Sequence, residues 1–195
     1  MPAITQTITK LFKFTYIMKA SNGTNTSTKK SKKIGFTCSS FDLLHAGHML
    51  MLKDCKRVCD YLIVGLQSDP TTDPDSYRGK KKNMPVMSLE ERKIILEGNK
   101  YIDEVFIYSD ERDLYNNIKK LTYDIRIIGS DWEGKEYTGH DLPHEIYYHK
   151  RDHDFSTSNL RERVYKAEQE RLKENKEKME SDIARSREEE RTTVS

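Results

Sequence analysis

The stretch FTCSSFDLLHAGHMLMLKDCKRVCDYLIVGL, Phe36 to Leu66, decides the fold. An apolar, β-prone run ends near Ser39. Two histidines, His45 and His48, follow with Gly47 between them. Met49, Leu52 and Cys55/Lys56 then recur at helical spacing, and YLIVGL closes the unit as a second β-prone run. Strand, short loop, helix and strand in that order predict two parallel strands joined by a right-handed crossover.

The same alternation continues outward. KIGFTC, YLIVGL, EVFIY, DIRIIG and EIYYH are five short runs rich in Ile, Val, Phe and Tyr, each the length of a buried strand. Between them Leu89, Arg92/Lys93 and Leu96 keep helical period, as do Leu114, Ile118 and Leu121. The expectation is an α/β fold, a Rossmann-like parallel five-stranded sheet with helices on both faces. Ligands of such sheets sit at the carboxyl ends of the strands, near the switch in strand order.

The 195 residues are 34% charged and 35% hydrophobic, and the apolar runs fall almost entirely between residues 34 and 165. We therefore expect a basic leader (1–32), a folded core (33–165) and a charged helical or disordered tail (166–195). The first 41 residues hold seven lysines and no acidic residue. An organelle-targeting peptide also avoids acids, but it favours Arg, which the leader lacks. From Arg161 to Ser195, 20 of 35 residues are charged with the signs interleaved, and Val164, Leu172, Met179 and Ile183 are too sparse for a coiled-coil seam. A solvated helix supported by pairs such as Glu162/Lys166 and Glu174/Lys178 fits that pattern. A net charge of +2 gives no general case for nucleic-acid or membrane-surface binding. No apolar run has the length of a membrane span. Cys38, Cys55 and Cys59 form no disulfide framework, which fits a reducing, cytoplasmic setting.

The chemistry concentrates at the strand ends. His45 and His48 fall at the mouth of the first helix, beside unpaired backbone N–H groups and the positive end of the helix dipole. That is an anion site, and Gly47 removes a side chain where something must approach closely. A metal reading has the three-residue His spacing but no third ligand at a recognised distance. Phe155-Ser156-Thr157-Ser158-Asn159 reads as a helix N-cap, and equally as hydroxyls and N–H groups for outer phosphates. Arg151 just upstream would add a bidentate contact.

Four segments carry a resemblance over residues 33 to 165. They are Ser-Phe-Asp-Leu-Leu-His-Ala-Gly-His (40–48), Glu-Arg-Lys-Ile-Ile-Leu-Glu (91–97), Lys-Tyr-Ile-Asp-Glu-Val (100–105) and Gly-Ser-Asp-Trp-Glu-Gly-Lys (129–135). Together with the Ser-Thr-Ser helix start they resemble the HIGH-type nucleotidyltransferases, and within these the cytidylyltransferases, glycerol-3-phosphate cytidylyltransferase above all. The resemblance implies CMP transfer from CTP to a small phosphorylated alcohol, with pyrophosphate released. It places Ser40 and Phe41 in the nucleotide site, His45 and His48 on the triphosphate, Arg92 near the phosphates, and Asp131 and Trp132 beside the base. Arg151, Ser156, Thr157 and Ser158 would clamp the β and γ phosphates. Asp69 matches an acidic position at the sheet edge, and Lys82, in a loop that also holds Arg78, Lys80 and Lys81, is the candidate for a phosphate-handling lysine. Mg²⁺ carried on the nucleotide and a homodimer are implied as well.

The chain departs from the family at Ser39-Ser40, where Gly-Thr is usual, and at Lys100, where Arg is usual. A substrate-contacting lysine expected near Leu114 is absent. His140, His144, His149 and His153 are extra, and their irregular spacing predicts scattered loop or surface histidines. The competing readings are an adenylyltransferase using ATP on a sugar phosphate or cofactor precursor, and a nucleotide-binding protein without catalysis.

Overall fold

Five strands pair in parallel in a computed structural model that describes residues 31–73 and 82–193. They are β1 (Ile34–Ser39), β2 (Tyr61–Gln67), β3 (Glu104–Tyr108), β4 (Ile125–Gly129) and β5 (Glu145–His149), in the sheet order β3-β2-β1-β4-β5. Four helices accompany them: α1 (Ala46–Val58), α2 (Leu89–Glu97), α3 (Glu111–Ile118) and α4 (Thr157–Thr193). The five apolar runs of the sequence are thus the five strands. The basic leader before Ser31, and Arg78, Lys80 and Lys81, lie outside the described residues.

The order of the strands fixes where a ligand can sit. The chain builds outward from β1 through β2 to β3, then crosses back to place β4 on the other side of β1. The switch falls between β1 and β4, where Phe36 pairs with Arg126. The loops after these two strands, Ser40–His45 and the short 3₁₀ turn Ser130–Trp132, therefore flank the crevice at the carboxyl edge.

Alternation along each strand supplies the two packed faces. On one, Leu52 and Cys55 of α1 and Leu96 of α2 pack on Leu62, Val64, Leu66, Ile125 and Ile127. On the other, Leu114 and Ile118 of α3 pack on Phe36, Ile63 and Tyr108. Each such fully buried Leu or Ile contributes roughly 1.5–3 kcal/mol relative to exposure. The helix starts follow from local chemistry. Ser88 and Glu91 form a reciprocal capping box on α2, and the Asp110 carboxylate accepts from Asp113 N at 2.8 Å to cap α3. Leu121 keeps the spacing of α3 but lies beyond its end, packing from the following turn.

Helix α4 runs unbroken through residue 165. Glu162 and Lys166 pair at 2.6 Å as expected; further along, the pairs among the described residues are Glu168–Arg171, Lys173–Glu177 and Lys176–Glu180, in place of Glu174–Lys178. No helix among the described residues is long and apolar enough to cross a membrane.

Candidate active site

The β1–α1 loop is built around an inward-turned carboxylate. Phe41 and Leu43 have φ of 48° and 47°, a left-handed conformation that costs a non-glycine residue about 1 kcal/mol or more. The turn they make buries Asp42 to 6% exposure. One Asp42 oxygen accepts from Val86 N at 2.9 Å and Met87 N at 3.0 Å, and the other from Arg161 Nη1 at 3.3 Å. The Asp42 carbonyl accepts from Thr157 Oγ1 at 3.2 Å. One residue thus ties the loop after β1 to the segment before α2 and to the start of α4. Phe41 is buried beside it, its ring 5.4 Å from that of His48.

His45 and His48 form the N-terminal cap of α1. His45 Nδ1 accepts from Gly47 N at 3.1 Å, and His48 Nδ1 accepts from His45 N at 3.4 Å, a capping box made of two imidazoles stacked at 4.0 Å. A nitrogen that accepts carries no proton, so the cap assigns each ring its Nε2–H tautomer. Neither Nε2 is hydrogen-bonded among the described residues, which leaves two N–H donors at the helix mouth.

Burial, the neighbouring His45 and the Arg151 guanidinium push the His48 pKa down to about 4, against a smaller opposing pull from Asp42. His45 is lowered as well, by burial first and then by Arg151 and His153. Both rings are therefore neutral donors at pH 7. Between its ordinary 6.5 and about 4, His48 binds a proton in the unfolded chain that it does not bind in the folded one. Stability must then fall as pH drops through that window, by at most about 1.4 kcal/mol per pH unit for one proton. Above 6.5 His48 is neutral in both states and contributes nothing to the pH dependence. Urea midpoints taken at pH 7 and pH 5 should show the loss, with a shallower fall for His48→Gln; equal falls would show that His48 does not titrate this way.

Arg151, His153 and the start of α4 close the other side. Arg151 Nη2 donates to Phe155 O at 3.2 Å, and Ser156 Oγ accepts from Asn159 N at 3.1 Å as the cap of α4. The hydroxyls are thus partly spent on structure: Ser156 on the cap, Thr157 on Asp42. What α4 still presents are the N–H groups of Thr157 and Ser158 in its first turn, which have no intrahelical acceptor, and the exposed Ser158 side chain. Gly47 is required here. A Cβ on it would lie 2.8 Å from His153 Cε1, 2.9 Å from His45 Cε1 and 3.0 Å from Phe155 O.

The contact at Gly47 corrects one expectation. His153 is no scattered surface histidine. It stands against the His45–Gly47 turn, its ring 5.3 Å from that of Phe155, and both ring nitrogens are buried without a partner. The other extra histidines serve the fold or lie apart: His149 Nδ1 is 2.8 Å from Asp54, His144 Nδ1 is 3.1 Å from the Tyr123 hydroxyl, and His140 Nδ1 meets Tyr137 O.

The remaining candidates divide. Arg92 is 2% exposed and spends four of its five N–H donors on backbone carbonyls: Nε on Met87, Nη1 on Ser40 and Gln67, Nη2 on Ser68. It holds the ends of β1 and β2 together beneath the mouth, with one N–H left over. The Ser40 carbonyl is one of its acceptors. Asp69 accepts from Thr71 N and Oγ1 in a local turn, and these bonds lower its pKa. Asp131 is exposed, its carbonyl taken by Lys135 Nζ, and with Trp132 it follows β4 at the switch. Lys82 is half-buried in the segment before α2, and no contact ties it to the histidines. Among the described residues no group of three or more His, Cys, Asp or Glu side chains is placed to hold a metal ion. The donor set at the mouth is N–H, hydroxyl and guanidinium, suited to anionic oxygens.

Asp42, Arg161 and His153 had no signal of their own in the sequence beyond the helical spacing of Arg161 and the Ser-Phe-Asp run; their partners lie up to 119 residues away.

Stacked donor imidazoles, a cationic Arg151 and a helix start, all meeting at the switch of a parallel sheet, define an α/β protein built to take an anionic ligand there. The chain belongs to the cytidylyltransferase-like family, whose model matches residues 36–163. Glycerol-3-phosphate cytidylyltransferase of Bacillus subtilis is 33% identical over 133 residues, 68% of this chain and 97% of that protein. The bifunctional protein HldE of Wolinella succinogenes is 39% identical over 117 residues, 60% of this chain and 24% of that protein. This chain thus spans about a quarter of the HldE relatives it matches. The solved lipopolysaccharide core biosynthesis protein from Thermoplasma volcanium covers 65% of this chain and 100% of its own, at 21% identity and a TM-score of 0.48.

Proposed function

We propose that the chain transfers CMP from CTP to a small phosphorylated alcohol, with glycerol 3-phosphate the first candidate, and releases pyrophosphate. The observation that carries this reading is the pair of neutral imidazoles whose Nδ1 atoms are committed to the helix cap and whose Nε2–H groups face the mouth. The likeness to the Bacillus subtilis enzyme along nearly its whole length supports the acceptor. An oxygen of the acceptor phosphate attacks the α-phosphorus of CTP. The bond from that phosphorus to the β-bridging oxygen breaks, and pyrophosphate departs with the electron pair. Charge builds on the bridging oxygen and on the α-phosphate, where His45 and His48 donate. Arg151 and the first turn of α4 hold the departing phosphates. No covalent enzyme intermediate is needed; positioning and charge neutralisation suffice. Mg²⁺ would arrive on the triphosphate, held by phosphate oxygens and water, and would supply further charge neutralisation. Asp131 and Trp132, in the turn after β4, are the candidates for contact with the base, and the exposed Ile94 and Ile95 on α2 are the candidate apolar face for a second copy of the chain.

The second reading is nucleotidyl transfer from ATP to a sugar phosphate, and it rests on the 39% identity to HldE. Pyrophosphate release measured for CTP and ATP against glycerol 3-phosphate and a set of sugar phosphates decides between them. CTP with glycerol 3-phosphate should be the fastest combination. ATP turnover on a sugar phosphate would install the second reading, and nucleotide binding without turnover on any acceptor would leave a binding protein.

A further inference from the structure

Arg126, the second residue of β4, is a charge set into an otherwise apolar strand and is 3% exposed. It lies on the α3 face of the sheet, with its Cζ 4.3 Å from the centroid of the Phe36 ring. Its one hydrogen bond, Nη2 to Cys38 Sγ at 3.2 Å, goes to a weak acceptor. Nε and Nη1 are buried with no partner, and none of the ion pairs among the described residues involves this guanidinium. Arginine cannot shed its proton, so a permanent cation with four of its five N–H bonds idle, three of them on Nε and Nη1, is held away from water.

Two more polar atoms nearby are idle in the same way: the Tyr137 hydroxyl and His144 Nε2. Burial raises the Tyr137 pKa and lowers that of His144, and the Arg126 charge opposes the first shift and adds to the second. The Tyr123 hydroxyl lies 3.1 Å from His144 Nδ1, and in the tautomer in which that hydroxyl donates, the idle Nε2 carries a hydrogen. The orphaned set therefore consists of donors around one fixed positive charge. Its complement is a multi-oxygen anion. Of the three residues, Tyr137 borders a surface cavity of about 320 Å³ between the start of α3 and the turn at residues 137–141. The rim carboxylates there are engaged, Glu111 by Thr138 and Asp141 by Tyr115.

We propose that Arg126, Tyr137 and His144 form a second anion site, on the face of the sheet opposite α1, for an oxyanion of the phosphate type. The ligand is either the free ion or the head of a small phosphorylated molecule. This site is independent of the CTP reading, and a chain that turns over no nucleotide is subject to the same test.

Equilibrium dialysis of the full chain with inorganic phosphate, at constant ionic strength in chloride, gives the stoichiometry. Arg126→Met should bind one equivalent fewer than the unaltered chain and remain folded, since replacing an unpaired buried charge by an apolar side chain of similar length relieves a burden. Tyr137→Phe preserves shape and should weaken the same class of binding about five- to tenfold, the effect of one hydrogen bond. Equal stoichiometry with and without the Arg126 guanidinium overturns the proposal. Should Arg126→Met fail to fold, unchanged phosphate affinity in Tyr137→Phe overturns it. A parallel arm with glycerol 3-phosphate separates the sources: tighter Arg126-dependent binding than phosphate assigns a phosphorylated molecule, equal or weaker binding the free ion.

Discussion

Arg92→Leu should lower the unfolding free energy by about 3–5 kcal/mol, the scale for breaking a buried charged network. The side chain is nearly isosteric in volume, so packing is not what is lost. The carbonyls of Ser40, Gln67, Ser68 and Met87 each lose a charged donor, and those of Ser40 and Gln67 lose it at 2.8 and 2.7 Å. A buried acceptor left without a donor costs about 1–3 kcal/mol, and the four are coupled, so the sum is not additive. Arg92→Lys keeps the charge but cannot reach four acceptors from one ammonium, and it should fall between the two. Because the tether joins the ends of β1 and β2, the damage should extend to the β1–α1 loop and with it to nucleotide affinity. Urea unfolding measures the first effect and CTP titration the second. A midpoint within the error of the unaltered chain would show that these bonds contribute nothing net.

His48→Ala should lower kcat by about 10²–10³, the effect of removing one donor from a developing charge. If that donor strengthens in the transition state, kcat and kcat/KM drop together while KM for CTP stays near its original value. The substitution also removes the acceptor for His45 N, so part of the loss could come from a loosened helix start. His48→Gln separates the two contributions. Glutamine is the natural partner at the third position of a capping box and should recover the stability of α1 without recovering the rate. A glutamine variant with full activity would reassign His48 to the cap alone.

The local features of this chain were legible for a simple reason. Strand and helix periodicity are written over a few neighbouring residues, and all five β-prone runs formed strands in one parallel sheet. The helix-mouth position of His45 and His48 followed from the first turn of α1 starting at Ala46. Residue roles that depend on partners far along the chain were not legible. The resemblance put Arg92 near the phosphates, but no short-range pattern could show that its guanidinium spends four N–H groups on carbonyls at the ends of β1 and β2 and in the segment before its own helix. His153 does lie in a loop, but its irregular spacing carried no information about the contact it makes 106 residues away, at Gly47. Ser156-Thr157-Ser158 looked like three equivalent hydroxyls, and the fold spends two of them on a cap and on Asp42.

By itself the sequence determined the parallel α/β sheet, the carboxyl edge at which its loops gather and the place of the two histidines at a helix mouth there, because each of these depends on short-range pattern and chain order. The tertiary structure alone decided which atoms remain free to act. The backbone N–H groups of α1 consume Nδ1 of both imidazoles and leave Nε2–H, the strand ends consume most of Arg92, and burial keeps the histidines neutral. Availability of a donor is what remains after every nearby acceptor has been satisfied, and that remainder exists only once the chain has folded.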